Sequence, residues 1–295
     1  MRTLQEPGKE RRCESKKDSN MTNALPVQDE PRENDLLAPF EVATIPADYR
    51  GYYTAKRANL SISIQRFPAL WKYYLLLDRI WLRQFEDLNS ARDPQRMFPL
   101  LLFFNAHAKI RVGLELAFSA CMAEARSILR DAVECTAHAH LMMTDAELQK
   151  TWLNKNEAGK AFENAFVRNK KTGLFRGLDE LHELWGQWSE TGSHSTINAM
   201  CDRLSIVESA THVQYMLNYC GVEPQLWATS VFSMLLASSL MEKVMFSDFE
   251  SRLNLDDGLL RMRTDAQMVK EKLRGNLITL CGIKRPPSKS AIYAP

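Results

Sequence analysis

The chain of 295 residues has only 12 glycines and 12 prolines. All-β folds use many such residues in turns, so their scarcity argues against a sandwich or barrel and for long helices with short connections. Net charge is also nearly absent. The 38 basic and 36 acidic side chains, spread along the whole chain, leave +2, so no global field draws nucleic acid or anionic lipid, and any such binding must come from a local patch. There is no C-x-x-C pair and no dense cysteine framework. The cysteines at 13, 121, 135, 201, 220 and 281 sit mostly inside apolar helical patterns and read as reduced, small hydrophobes of a cytoplasmic protein.

Residues 1–20 contain no apolar h-region, which excludes a secretory signal there, and their interleaved acids argue against a mitochondrial presequence. No uncharged run reaches the ~20 mostly apolar residues of a bilayer span. The least polar uncharged stretch, Gln225 to Met241, has 17 residues, is interrupted by Thr229, Ser230, Ser233, Ser238 and Ser239, and is followed by Glu242-Lys243. It reads as a buried core helix, with no transmembrane segment; a weaker idea is a membrane-peripheral role for Leu226 to Phe249. Also missing are the P-loop, G-x-G-x-x-G, H-E-x-x-H, G-x-S-x-G and EF-hand patterns, so no cofactor is implied.

What is present is helical periodicity. Residues 1–38 lack it, and their charges alternate in sign, so they read as a disordered tail; Met21 is an alternative to Met1 as the natural start. Residues 39–283 read as a single helical domain, and 284–295 as a flexible basic tail. The pattern predicts an all-α bundle of seven to eight helices. Pro68 starts or kinks one, Asp93-Pro94 starts another, Asp145 and Glu147 mark a third, and Glu223-Pro224 and Asp256 to Gly258 open the last two. Residues 195–223 fit short helices or strands equally.

The strongest stripe, at about 100° per residue, runs through Leu114, Phe118, Cys121, Ala125, Ile128, Ala132, Cys135 and Ala139. Its pattern is compatible with one helix continuing from Gln95. Small residues alternate with large ones, which lets a neighbouring helix approach closely.

On the polar side of the same helix Arg126, Arg130, Glu134 and His138 recur every four residues, with Asp131 alongside. The plainer reading is a solvated face laced with i,i+4 pairs, each worth ~0.2–0.5 kcal/mol. The sharper one is a polar row facing a cleft, in which Arg130 holds an anion and Glu134 and His138 transfer protons. Cys135, His138 and His140 do not make a metal site, because His140 projects about 200° from His138 on a helix. His107 and His212 read as hydrogen-bonded core residues.

The segment Ala125-Arg126-Ser-Ile-Leu-Arg130-Asp-Ala-Val-Glu134, a downstream Trp-containing helix and then Ser193-His194 resemble a bacterial family with an L-R-x-x-x-E helix and a later S-H element, compared with the HEPN helical domains. The resemblance covers roughly Cys121 to His194, and it implies an all-helical fold more directly than an activity. Here Trp188-Ser-Glu-Thr-Gly-Ser-His194 departs from the family's tyrosine-led version. HEPN ribonucleases use R-x(4-6)-H, and Arg176 to His182 matches it. Chance supplies about one such match in a chain with this many arginines and six histidines.

The basic residues Arg168, Lys170, Lys171 and Arg176, with Lys284, Arg285 and Lys289, would touch phosphate only if folded together. Helix ends favour cations in any case. The reading is an intracellular helical binding or regulatory module without catalysis, open to a protein partner or homo-oligomer. The alternative is a HEPN-like ribonuclease or related hydrolase of a bacterial defence or stress system, with Arg126, Arg130, Glu134, His138 and His194 at its site.

Overall fold

Phe67, set before Pro68, divides the first apolar segment into α1 (Ala47–Arg66) and α2 (Pro68–Leu88). The proline lacks an N–H and disfavours helical geometry at the residue before it. The computed structural model describes residues 46–88, 94–168, 170–193, 204–208, 213–217 and 224–280. The expectations for the terminal tails, Met21, His194 and His212 lie outside them. The described residues from Ala47 onward fall in a single unit.

Helix α3 (Pro94–Phe118) starts at Pro94, and α4 (Met122–Thr144) follows after a sharp turn. The uninterrupted pattern from Gln95 to Ala139 is therefore two helices. Ala120 takes a left-handed backbone at φ 62°, and Cys121 N–H donates back to the Leu116 carbonyl at 2.9 Å. Asn105 meets Cys135 and Lys109 meets Asp131, so the two helices run antiparallel. Gly113 permits their close approach: a Cβ there would sit 2.7 Å from Leu129 Cγ and 3.4 Å from the Ala125 carbonyl oxygen. The stripe of small and large residues thus serves both helices: Leu114, Phe118, Cys121, Ala125, Ala132 and Ala139 are buried, whereas Ile128 and Cys135 are half-buried.

Asp145 caps α5 (Ala146–Leu153) by accepting from Glu147 N–H at 2.9 Å. The chain then turns at 154–158 into the short α6 (Gly159–Phe162) and a π-helical turn, Glu163–Val167. After turns through residues 170–177 comes α7 (Asp179–Trp188), which ends in a second π turn, Ser189–Ser193. The ambiguous region contains a two-stranded antiparallel hairpin, β1 (Leu204–Glu208) and β2 (Val213–Leu217), with Ile206 opposite Tyr215. Helix α8 (Pro224–Phe249) and, after a 3-10 turn, α9 (Asp257–Leu280) complete the described chain. Asp256 caps α9 by accepting from Leu259 N–H at 2.8 Å.

The architecture is all-α apart from that hairpin, with nine α-helices among the described residues rather than seven to eight. The breaks at Phe67 and Ala120 and the turn at 154–158 account for the excess. Helix α8 lies at the centre, packing on α2, α3, α4, α7 and α9. Among the described residues it is the one helix long and apolar enough to cross a membrane, and half of its most apolar window is buried inside the fold.

Two polar clusters tie these helices together. On α2 and α3, Asp78 accepts from Arg111 Nε and Nη2 at 2.7 and 2.8 Å and meets His107 Nε2 at 2.8 Å, while Trp81 stacks on the His107 ring. His107 is thus the hydrogen-bonded core histidine that its apolar setting predicts. Between α2, α8 and α9, the buried Glu242 accepts from Gln84 of α2 and pairs with Arg263 of α9.

Candidate functional site

The four-residue spacing on α4 does stack Arg126, Arg130, Glu134 and His138 on one face, and that face meets α7 and the segment before it. Arg130 is half-buried. Its Nε donates to Ser189 Oγ at 2.9 Å, Nη1 pairs with Asp131 at 2.9 Å, and Nη2 lies 3.4 Å from Glu134 Oε2. Its guanidinium sits 5.1 Å from the centre of the Trp185 ring. Ser189 Oγ in turn donates to the Trp185 carbonyl at 2.7 Å, as a serine just past the end of α7 can.

Glu134 closes the same network. Its Oε2 accepts from Trp185 Nε1 at 3.3 Å, and Oε1 lies 3.7 Å from Lys170 Nζ, which itself stands 4.0 Å over the Trp185 ring. The indole is thus touched by two cations and hydrogen-bonded to the carboxylate that both cations approach. Neither expectation for the row holds in full: it is not a solvated face, because α7 covers it, and Arg130 does not stand open in a cleft. The i,i+4 pair between Arg130 and Glu134 is present.

Arg126 lines a cavity of about 310 Å³ with Trp188, Thr191, Ser230 and Met234. His138 lies with its ring 5.2 Å from that of Phe166, and burial pushes its pKa down, against the pull of Glu134. At neutral pH it is an uncharged ring in an aromatic setting. His194 lies outside the described residues.

The other sequence candidates separate in space. His138 faces Phe166, whereas His140 turns to Asp248 of α8, with Nδ1 at 2.9 and 3.1 Å from the two carboxylate oxygens. Burial raises the Asp248 carboxyl above its ordinary range, and the hydrogen bond from His140 acts against it. Cys135 is a free thiol whose pKa burial pushes up. Among the described residues no group of three His, Cys, Asp or Glu could hold a metal.

His182 packs its ring against those of Phe175 and Trp185, at 5.1 and 6.2 Å, while Arg176 is exposed in the turn before α7. The basic loop is partly spoken for: Arg168 pairs with Glu163 at 3.0 Å and Lys170 with Glu134.

Sequence reasoning missed Trp185 and Ser189 as the partners of Arg130, and Asp248 as the partner of His140. These contacts join residues 51 to 108 positions apart. No local spacing carries such a signal. It also missed three cations, Lys243, Lys270 and Arg274, that line a cleft between α7, α8 and α9. No protein-family model, curated protein or solved structure matches the chain.

Proposed function

We propose that the protein is an intracellular helical binding or regulatory module without catalysis, in which the Arg130 row fastens α7 to α4. One observation carries this reading. Each of the three guanidinium nitrogens of Arg130 already has a partner within the chain, in Ser189, Asp131 and Glu134. An arginine that stabilises a transition state needs N–H groups aimed at where charge develops, so donors already occupied by fixed internal acceptors argue for a structural role. His138, the proposed proton carrier, packs its ring against Phe166, and burial favours its uncharged form.

The HEPN-like reading makes a different demand on the same residues. Incubation of the full chain with end-labelled RNA compares wild type with R130A/E134A/H194A. The binding-module reading expects both proteins to leave the RNA intact. Cleavage by the wild type that the triple variant loses would replace it with a ribonuclease reading.

A further inference from the structure

We propose that the cleft between α7, α8 and α9 binds a small amphiphilic anion, whose head is held by Lys243, Lys270 and Arg274 and whose apolar body rests on Leu236 and Leu240. This rests on the binding-module reading and gives that module its ligand class. The cleft has a volume of about 380 Å³, enough for a compact organic molecule. Its floor is the outward face of α8, where Leu236 and Leu240 are only partly buried by the fold.

The cations are what point to an anion. Elsewhere the fold provides acceptors for its half-buried arginines: Arg130 has Glu134 and Arg263 has Glu242. Lys243, Lys270 and Arg274 converge on one cleft, and among the described residues none of them forms an ion pair. Burial lowers the pKa of the Lys270 ammonium, and Lys243 and Arg274 lower it further, with Glu271 as the one opposing charge. Gathering two like charges, the exposed Lys243 and Arg274, beside the half-buried Lys270 costs free energy that an anion would recover.

The far wall decides what kind of anion fits. Glu180 and Glu183 of α7 line the same cleft, and with Glu271 of α9 they balance its three cations. A polyanion such as RNA would meet repulsion along that wall. A single phosphate or carboxylate head, seated at the α9 side with its apolar portion over the leucines, meets the three cations and only one of the three acids, Glu271.

The test uses the full chain and calorimetric titration with octyl phosphate and with octanoate, each below its micelle concentration, and with 1-octanol as the headless control. We expect at least one anion to bind and octanol not to. K270Q/R274Q is expected to weaken that binding by about tenfold or more, since charge-assisted contacts are lost. E180Q/E183Q is expected to strengthen it. Preference between the two anions identifies the head group. Both pairs of substitutions are at exposed or half-buried helix surface positions, and circular dichroism confirms that the variants fold.

Binding of neither anion, or binding unchanged in K270Q/R274Q, overturns the proposal. Failure here leaves the RNA result standing, whereas RNA cleavage would remove the binding-module reading whatever the titration shows.

Discussion

Replacing Arg263 by alanine is expected to destabilise the fold by about 3–5 kcal/mol at pH 7, the cost of leaving a buried carboxylate without its partner. Glu242 is 3% exposed, and it holds α8 to α9 through Arg263 and to α2 through Gln84, whose Nε2 donates to it at 2.5 Å. Arg263 also lies 3.7 Å over the Phe246 ring, a contact that alanine removes as well. Burial pushes the Glu242 carboxyl up, and Arg263 and Gln84 pull it down without fully cancelling that push.

A carboxyl raised in the folded state favours folding below its unfolded value, and that contribution is lost as pH rises through the folded value. Without Arg263 the rise is larger, so the deficit of R263A should shrink between pH 7 and pH 5. The E242Q variant keeps the shape and removes the charge, and it is expected to cost less than R263A. Urea unfolding of the three proteins at both pH values checks the order. A deficit for R263A that is small, or independent of pH, would mean that the pair is not the clamp described.

Asp78 should show the opposite pH dependence. Burial alone would raise its carboxyl, but hydrogen bonds from Arg111 and His107 outweigh burial and hold it well below the usual carboxylate range. The stability it supplies is therefore fully present above its unfolded pKa near ~3.9 and is lost as pH falls through the folded value. D78N is expected to cost about 2–3 kcal/mol at pH 7, because it replaces the charged acceptor shared by Arg111 and His107 with an amide. The gap between wild type and D78N should begin to narrow below about pH 4 and go on narrowing as pH falls toward the folded value. Thermal unfolding across pH 2.5–7 measures it, and a gap unchanged down to pH 2.5 would contradict the assignment.

The long helices were legible because their ends carry chemistry that acts locally. Pro68, Pro94 and Pro224 each open a helix, and Asp145 and Asp256 each cap one. The breaks that were missed carry no such mark. Alanine is a strong helix former, so nothing at Ala120 announces a left-handed residue, and only the packing of α3 against α4 makes that turn worthwhile. Residues 154–158, Asn-Lys-Asn-Glu-Ala, hold neither glycine nor proline, yet they separate α5 from α6. The hairpin segments were ambiguous because a run of only five residues, LSIVE or VQYML, is too short to separate the two periods until its partner is known.

The candidate site divides along the same line. That Arg126, Arg130, Glu134 and His138 share a face follows from helical geometry alone. What the face meets depends on where α7 returns, and Trp185 lies 51 residues beyond Glu134. The separation of His138 from His140 was legible for the same geometric reason, whereas Asp248 as the partner of His140, 108 positions away, was not. The cationic cleft is assembled from α7, α8 and α9, and in sequence its lysines look like ordinary solvated residues.

The central claim is that Arg130 fastens α7 to α4, and a double-mutant cycle between Arg130 and Trp185 tests it most directly. Stability is measured by urea unfolding for wild type, R130A, W185A and the double variant. The account predicts a favourable coupling of about 1 kcal/mol, from the guanidinium over the indole and the carboxylate of Glu134 that both share. A coupling near zero, with R130A as stable as wild type, would contradict it and return Arg130 to the list of residues kept for a reaction.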